Sequence, residues 1–482
     1  MFDKTKAISD LTALLGADKV LTSEEAIIGA QSMEYSFERA FGYVYPHPAI
    51  AVVKPACTED VSKILKYCNE NGVNVIPKTG GSRGAGSLVP SDDHTITIDG
   101  SGLDSYVIDE YNYAAEVGCG MPVARLEEIV RPMGMTTGHF PQSFPLAQYG
   151  GLISTRSMGQ FSTYFGAIED MLVGLEVVLA DGTVCEIRPV PRRAVGPDLK
   201  NVFMGAEGTY GFITKAYIKL FKYRPHADLW KGAYIMPSYL DGMEAIREIM
   251  TEGYKPAVAR LYDKPDYDYN YGTVELEDGE AYMFFVNDGP EGVQKATGDA
   301  IDKIAAKHGA RQIGTQAIDH WLEHVDDLCS MADMEATAKV FRETKRQYGA
   351  ITIAGNWADL QSIYKDVMAE EPGKYENQTL LGGHISHCYH NGANIYFVYE
   401  FEIEDPMKAT ETILKFFEDI SLIALRYKSG TIEHHHGIGK ERAYLCPQEH
   451  GSSYEVLKRI KNVLDPNNIF SPGTLMPIES LK

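Results

Sequence analysis

The sequence predicts an α+β protein of more than one domain, and three observations carry that reading. At 482 residues the chain exceeds what one hydrophobic core ordinarily serves. Up to about Lys222 short strands and helices alternate irregularly, whereas the following two hundred residues alternate in longer units. From Ser429 onward the tail is again rich in the polar and glycine-flanked residue types of the first third. The expected division is therefore 1–222, a second domain over 223–428, and a segment 429–482 that returns to the first.

Each element has its own signal. Thr58 is placed to cap a helix in which Val61, Ile64, Leu65 and Cys68 recur at helical spacing, with Gly72 as its stop and an apolar strand over 73–76 after it. Strands follow over 95–98 and 114–117, and a helix over 123–133. The runs 175–179 and 184–187 pair as a hairpin across Ala180-Asp181-Gly182-Thr183, because Asp-Gly supplies the positive φ of a tight turn. In the middle third 282–286 and 393–401 are apolar strands, while 297–308 and 407–420 have helical periodicity.

Composition excludes several classes. A formal net charge of -22 with no compensating basic cluster argues against nucleic acid or an anionic membrane as partner. No apolar run approaches the roughly 20 residues of a membrane span, and the start of the chain lacks a secretory core, so a cytoplasmic protein is expected. Seven cysteines are scattered without a Cys-x-x-Cys pair, which encodes neither a zinc ribbon nor a cysteine-held iron–sulfur cluster.

Glu433-His434-His435-His436-Gly437-Ile438-Gly439-Lys440 is hard to explain by folding alone. Imidazoles donate, accept or bind metal near neutrality, and the Gly-x-Gly turn lets backbone approach a ligand. Pro77-Lys78-Thr79-Gly80-Gly81-Ser82-Arg83-Gly84-Ala85-Gly86 follows a strand, and glycines at this density can turn successive N–H groups inward into a nest for diphosphate. Two further runs, 138–157 with its Gly150-Gly151 pair and 205–211, carry small and hydroxyl residues against which a flat ring and its diphosphate could lie.

With these three runs in order the chain resembles the vanillyl-alcohol oxidase / p-cresol methylhydroxylase superfamily of FAD-binding enzymes, and within it the alkyldihydroxyacetonephosphate synthases. The likeness spans roughly residues 45 to 475. Besides the runs above it is carried by Tyr164-Phe165-Gly166-Ala167-Ile168-Glu169-Asp170, Gly196-Pro197-Asp198, Tyr389 and Asp465-Pro466-Asn467-Asn468-Ile469-Phe470. It implies a two-subdomain FAD-binding domain, a mixed α/β cap over the substrate, and a C-terminal tail returning to the FAD domain.

The resemblance implies that Pro77, Lys78, Thr79, Gly80, Gly81, Ser82 and Arg83 hold the FAD diphosphate. Gln142, Ser143, Gln148, Gly151, Thr155, Arg156, Ser157, Glu207, Gly208, Thr209 and Gly211 complete the flavin site. Ser82 stands where members with a covalent flavin carry His, so non-covalent FAD is implied. Tyr389 falls on the family's catalytic tyrosine, His139 and His434, His435 and His436 on histidines needed for activity, and Arg342 and Arg260 on arginines of the substrate site.

Two departures shape the functional expectation. The segment 262–280 is short, acidic and rich in tyrosine (Tyr267, Tyr269, Tyr271), too little to line a tunnel for a long acyl chain; an aromatic pocket, an edge strand and a loop all fit it. His384, His387 and His390 also flank Tyr389, and related D-2-hydroxy-acid dehydrogenases bind a divalent metal in this region, which here would fall to His384, His387 and His435. The alternative is a metal-free cluster handling a proton or an anion. The leading expectation is oxidation of a small alcohol or hydroxy acid by hydride transfer to flavin N5. The alternative is alkyl transfer through the flavin, as in the synthases. The electron acceptor and the oligomeric state stay open, a homodimer among the options.

Overall fold

A computed structural model describes residues 2–31, 46–82, 84–325 and 339–481. Near the N-terminus, Val52–Val53, Thr95–Asp99 and Asn74–Lys78 lie parallel, with Val20–Leu21 antiparallel on the outer side. The helix Thr58–Asn71 connects two of these strands and buries Val61, Ile64, Leu65 and Cys68. It ends at Gly72 in the left-handed region, as the spacing predicts. Its cap position is Cys57, in extended conformation, and Thr58 is the first helical residue, its hydroxyl donating to Glu176 at 2.6 Å. The glycine-rich loop leaves the C-terminal end of Asn74–Lys78, where parallel strands usually present ligands.

A five-stranded antiparallel sheet runs in the order Tyr106–Asp109, Ala114–Gly118, Phe212–Lys219, Leu172–Val178, Val184–Ile187. The last two strands are the expected Asp-Gly hairpin. The helix expected over 123–133 is α-helical over Val123–Val130 and tightens to a 3₁₀ turn at Arg131–Met133, with Pro132 inside the turn.

The third sheet is antiparallel and seven-stranded, in the order Arg311–Ile313, Trp230–Met236, Ala281–Asn287, Val258–Asp263, Gln378–Ile385, Gly392–Glu402, Arg346–Asn356. Alternation along its strands divides two environments. Ala259, Leu261, Met283, Phe285, Ile353, Ile395 and Phe397 join one core with residues of the helices Tyr239–Thr251, Glu291–Lys307, Trp357–Glu370 and Ala409–Ala424. The intervening residues include Arg260, Tyr262, His384 and Tyr396, and register brings Tyr282, Tyr262, His384, Tyr396 and Thr352 into one row across five strands.

The tyrosine-rich segment is neither an edge strand nor a loop throughout. Lys264–Asn270 is a helix capped by Asp263, with Pro265 in its first turn. Tyr267 is fully buried, with its ring 4.6 Å from that of Tyr282. Tyr271 donates to or accepts from the Tyr262 hydroxyl at 3.1 Å, and Tyr269 stacks on Tyr348.

The tail ties the parts together. Thr431 N–H and His434 N–H donate to the carbonyls of Ala354 and Thr352 on the edge strand Arg346–Asn356. Lys440 N–H donates to the Ala85 carbonyl, and Ser471 N–H to the Val75 carbonyl beside the glycine-rich loop. Among the described residues no helix is long and apolar enough to cross a membrane.

Candidate active site

The glycine-rich loop and the two later runs line one groove. Its outer part is bounded by Pro77, Lys78, Thr79, Gly81, Gly151, Thr155, Glu207, Gly208 and Gly211. The groove continues inward past Gly80, Ser82, Gln142, Ser143, Gln148 and Ser157, and there meets Gln160, Arg260, His384, His387, Tyr396, His435 and His436. This inner cavity encloses about 1040 Å³ including its mouth. A side chain at Gly80 would strike the Leu146 carbonyl at 2.3 Å, so only glycine allows the loop to close here. Three buried polar atoms of the cavity residues have no hydrogen-bond partner: Gln148 Oε1, Gln160 Nε2 and Arg260 Nε. Orphaned groups of this kind are costly unless a ligand satisfies them.

Arg260 is the one Asp, Glu, Lys or Arg among the described residues that line the inner cavity. It donates to the Tyr262 hydroxyl at 2.7 Å and to Gln160, and lies over the Trp321 ring at 5.1 Å. Those partners are neutral. Arg260 is 7% exposed and pairs with no carboxylate among the described residues.

Glu433 organises the histidine run. Its Oε1 accepts the backbone N–H groups of His434 (3.0 Å), His435 (3.3 Å) and His436 (3.2 Å) and the Thr352 hydroxyl. Its Oε2 is paired with buried Arg442, which also donates to the Ile432 carbonyl at 2.6 Å. The turn after the run is held by Glu207, which accepts from Ile438 N–H at 3.0 Å and Gly439 N–H at 2.9 Å. Burial raises the Glu207 carboxyl to about 7 against the pull of these two donors. Gly439, at φ +53°, has room for no side chain, because a Cβ would lie 1.9 Å from the Ala85 carbonyl.

The imidazoles interlock. Tyr396 OH lies 2.9 Å from His435 Nε2, His435 Nδ1 lies 2.7 Å from His434 Nδ1, and His434 Nε2 lies 2.6 Å from Tyr389 OH. His387 Nδ1 meets the Ser162 hydroxyl at 2.8 Å, and its ring stacks on His434. Burial holds His434 down to about 4 and His387 well below its ordinary value, so both rings are neutral at neutral pH.

Several expected residues stand elsewhere. Tyr389 is 38% exposed and lines a second cavity with Arg156, Glu169, His434, Glu449 and His450, outside the one that holds Arg260. The desolvation of its partly covered phenol, with Glu169 nearby, pushes it up. Arg156 also faces this second cavity, paired with Glu169 at 2.7 Å. His139 is fully buried, borders none of these cavities, and neither ring nitrogen has a partner; desolvation lowers it to about 4. Arg342 is exposed and away from the inner cavity, which receives Arg260 alone of the two expected arginines. The Thr209 hydroxyl turns inward to the Ala206 carbonyl. Arg83 lies outside the described residues.

The expected trio of metal ligands does not assemble. His384 Nδ1 is tied to Asp266 at 2.5 Å, and at the histidine run the ring nitrogens within 4.8 Å of one another are those of His387, His434 and His435. Both nitrogens of His434 and of His435 are already engaged in the hydrogen bonds above, which an ion would have to break. His390 is exposed on the hairpin beyond.

Sequence reasoning gave no role to Tyr396, Gln160, Glu433, Arg442 or Asp266. Only Glu433, an acid directly before three histidines, carried a local signal.

Comparison with known proteins agrees with this architecture. Residues 49–188 match the FAD binding domain model and residues 233–475 the model of the C-terminal domain of FAD linked oxidases. The uncharacterized FAD-linked oxidoreductase YgcU of Escherichia coli K12 is 39% identical over 484 residues, covering 98% of either chain. The glycolate oxidase subunit GlcD of Bacillus subtilis is 25% identical over 90% of each. A solved alkyldihydroxyacetonephosphate synthase superposes with a TM-score of 0.77 at 21% identity, over 97% of this chain and 85% of that one. The chain therefore belongs to the FAD-linked oxidoreductase family, with an FAD binding domain followed by the C-terminal domain of FAD linked oxidases.

Proposed function

We propose that this enzyme oxidises a small hydroxy acid held in the inner cavity by Arg260. One observation carries the reading. A buried guanidinium with only neutral partners is costly, since its desolvation is offset only when an anion is supplied. A substrate carboxylate beside Arg260 would supply it, and the orphaned Arg260 Nε and Gln160 Nε2 offer the remaining donors. The similarity to a glycolate oxidase subunit fits the same substrate class.

Pro77, Thr79, Gly81, Gly151, Thr155 and Glu207 would hold the nucleotide end of FAD, and Gly80, Ser82, Gln148 and Ser157 its inner part. The orphaned Gln148 Oε1 fits such a ligand. Bound FAD supplies the hydride acceptor. Ser82 offers no imidazole for a covalent link, in keeping with non-covalent binding. The chain's own residues do the remaining work. Arg260 and Gln160 orient the acid, and the histidine–tyrosine cluster takes the hydroxyl proton.

The test is anaerobic bleaching of the flavin's visible absorbance by a panel of 2-hydroxy acids and their neutral alcohol counterparts. Hydroxy acids should bleach it, and Arg260→Met should raise the concentration required by about 10²-fold, the cost of removing one partner of a buried charge pair. Equal bleaching by the neutral alcohols, or an unchanged requirement in Arg260→Met, would refute the assignment.

A further inference from the structure

Two cavities meet at the histidine run. The inner one contains Arg260 and Tyr396, and the outer one contains Tyr389, Glu449 and His450. They share Thr155, Met158 and His435 as wall residues. Through that wall passes an unbroken line of three hydrogen bonds, from Tyr396 OH to His435 Nε2 (2.9 Å), from His435 Nδ1 to His434 Nδ1 (2.7 Å), and from His434 Nε2 to Tyr389 OH (2.6 Å).

The Nδ1–Nδ1 contact determines what this line can do. Two such nitrogens at hydrogen-bond distance must share one proton, because a neutral imidazole has one N–H and one lone pair. If His435 carries its proton on Nδ1, its Nε2 accepts from Tyr396. His434 then accepts on Nδ1 and donates from Nε2 to Tyr389. Each ring is then at once a donor and an acceptor, with the same polarity from the inner cavity to the outer, where the Tyr389 hydroxyl is left to donate onward, here toward Met158 Sδ at 3.9 Å.

We infer that Tyr396 is the substrate-side end of a proton relay running through His435 and His434 to Tyr389, its solvent-side end. The inference rests on the hydroxy-acid oxidation proposed above. Bound FAD would accept the hydride that leaves with the electron pair of the substrate C–H bond, and the hydroxyl O–H bond breaks as the carbonyl forms. That hydroxyl proton passes to the Tyr396 oxygen as Tyr396 gives its own proton to His435 Nε2. The Nδ1 proton of His435 moves to His434 Nδ1, the Nε2 proton of His434 moves to the Tyr389 oxygen, and the Tyr389 proton leaves to water. One proton enters and one leaves, so the four side chains end with unchanged charge. The two rings must then exchange tautomers before the next turnover. Tyr389, the residue that family likeness places at the chemistry, becomes the exit, and Tyr396 touches the substrate.

The two ends of a relay respond differently to an external base. Rapid-mixing measurement of flavin bleaching by a 2-hydroxy acid should show Tyr396→Phe and Tyr389→Phe each slowed by about 10²-fold. Added imidazole, which can enter the open outer cavity, should restore Tyr389→Phe and leave Tyr396→Phe slow. A full rate in Tyr396→Phe, or equal rescue of both variants, would overturn the relay.

A second readout needs no turnover. In ¹⁵N-histidine-labelled holoenzyme, Tyr396→Phe should shift the ring-nitrogen signals of His434 as well as His435, since the two share a proton. An unchanged His434 signal would overturn the relay by itself. Wild-type enzyme inert to every hydroxy acid would instead refute the oxidation reading, and the ring-nitrogen signals would still decide whether the four side chains form one chain.

Discussion

Arg442→Met probes the buried ion pair that shapes the histidine turn. The Arg442 side chain is 2% exposed and that of Glu433 7%. The variant leaves the Glu433 carboxylate in place with three backbone N–H donors and the Thr352 hydroxyl, but with no cation. Breaking one side of a buried pair costs about 3–5 kcal/mol. The retained N–H bonds to a charged acceptor, each worth about 1.5–3 kcal/mol, keep the loss near the lower end, about 3 kcal/mol. Glu433→Gln combined with Arg442→Met removes both charges while an amide oxygen still accepts from the turn, so the double variant should lose only about 1 kcal/mol. Urea unfolding of the holoenzyme measures wild type, Arg442→Met, Glu433→Gln and the double variant, and these four form the double-mutant cycle that isolates the pair. If Arg442→Met is no less stable than the double variant, the claim that Glu433 depends on its cation is wrong.

Three further outcomes follow from the same geometry. The folded carboxyl of Glu207 titrates near 7, above its ordinary 4.5, so the folded state holds the proton more tightly and stability declines as pH rises from about 4.5 to about 7. Glu207→Gln should flatten that stretch of the Tm-versus-pH curve, and an unaltered slope would refute the assignment. His139 shows the opposite sign: its folded value near 4 lies below 6.5, so its contribution is complete above about 6.5 and is lost as pH falls through 4. His139→Leu should therefore lose less stability than wild type between pH 6.5 and 4 in the same measurement. Gly439→Ala forces a side chain to within 1.9 Å of the Ala85 carbonyl at a positive φ, displacing the loop against the FAD groove. Purified Gly439→Ala should carry visibly less flavin per protein, and full flavin content would show that the loop tolerates the shift.

The FAD-side elements were legible because their signals are local. Dense glycine after a strand, an Asp-Gly hairpin and a helix ending at Gly72 each reflect a backbone conformation that only neighbouring residues decide. Local sequence left the tyrosine segment open among a pocket, an edge strand and a loop, because Pro265 and the Asp263 cap start a short helix while strands outside it place the aromatic rings, Tyr271 lining a cavity with Tyr282 and Trp321.

By itself the sequence determined the class of protein, the glycine-lined groove and the presence of a histidine site near its tail, since these rest on residue type and short spacing. Tertiary structure decided which of the candidates meet. Arg260 rather than Arg342 reaches the inner cavity because alternation along Val258–Asp263 turns it away from the helices. Tyr396 joins His435, and Tyr389 moves to the outer cavity, because strand register and the Glu433–Arg442 pair set where the histidine turn lies. Register and burial depend on contacts between residues far apart in the chain, and no local pattern encodes them.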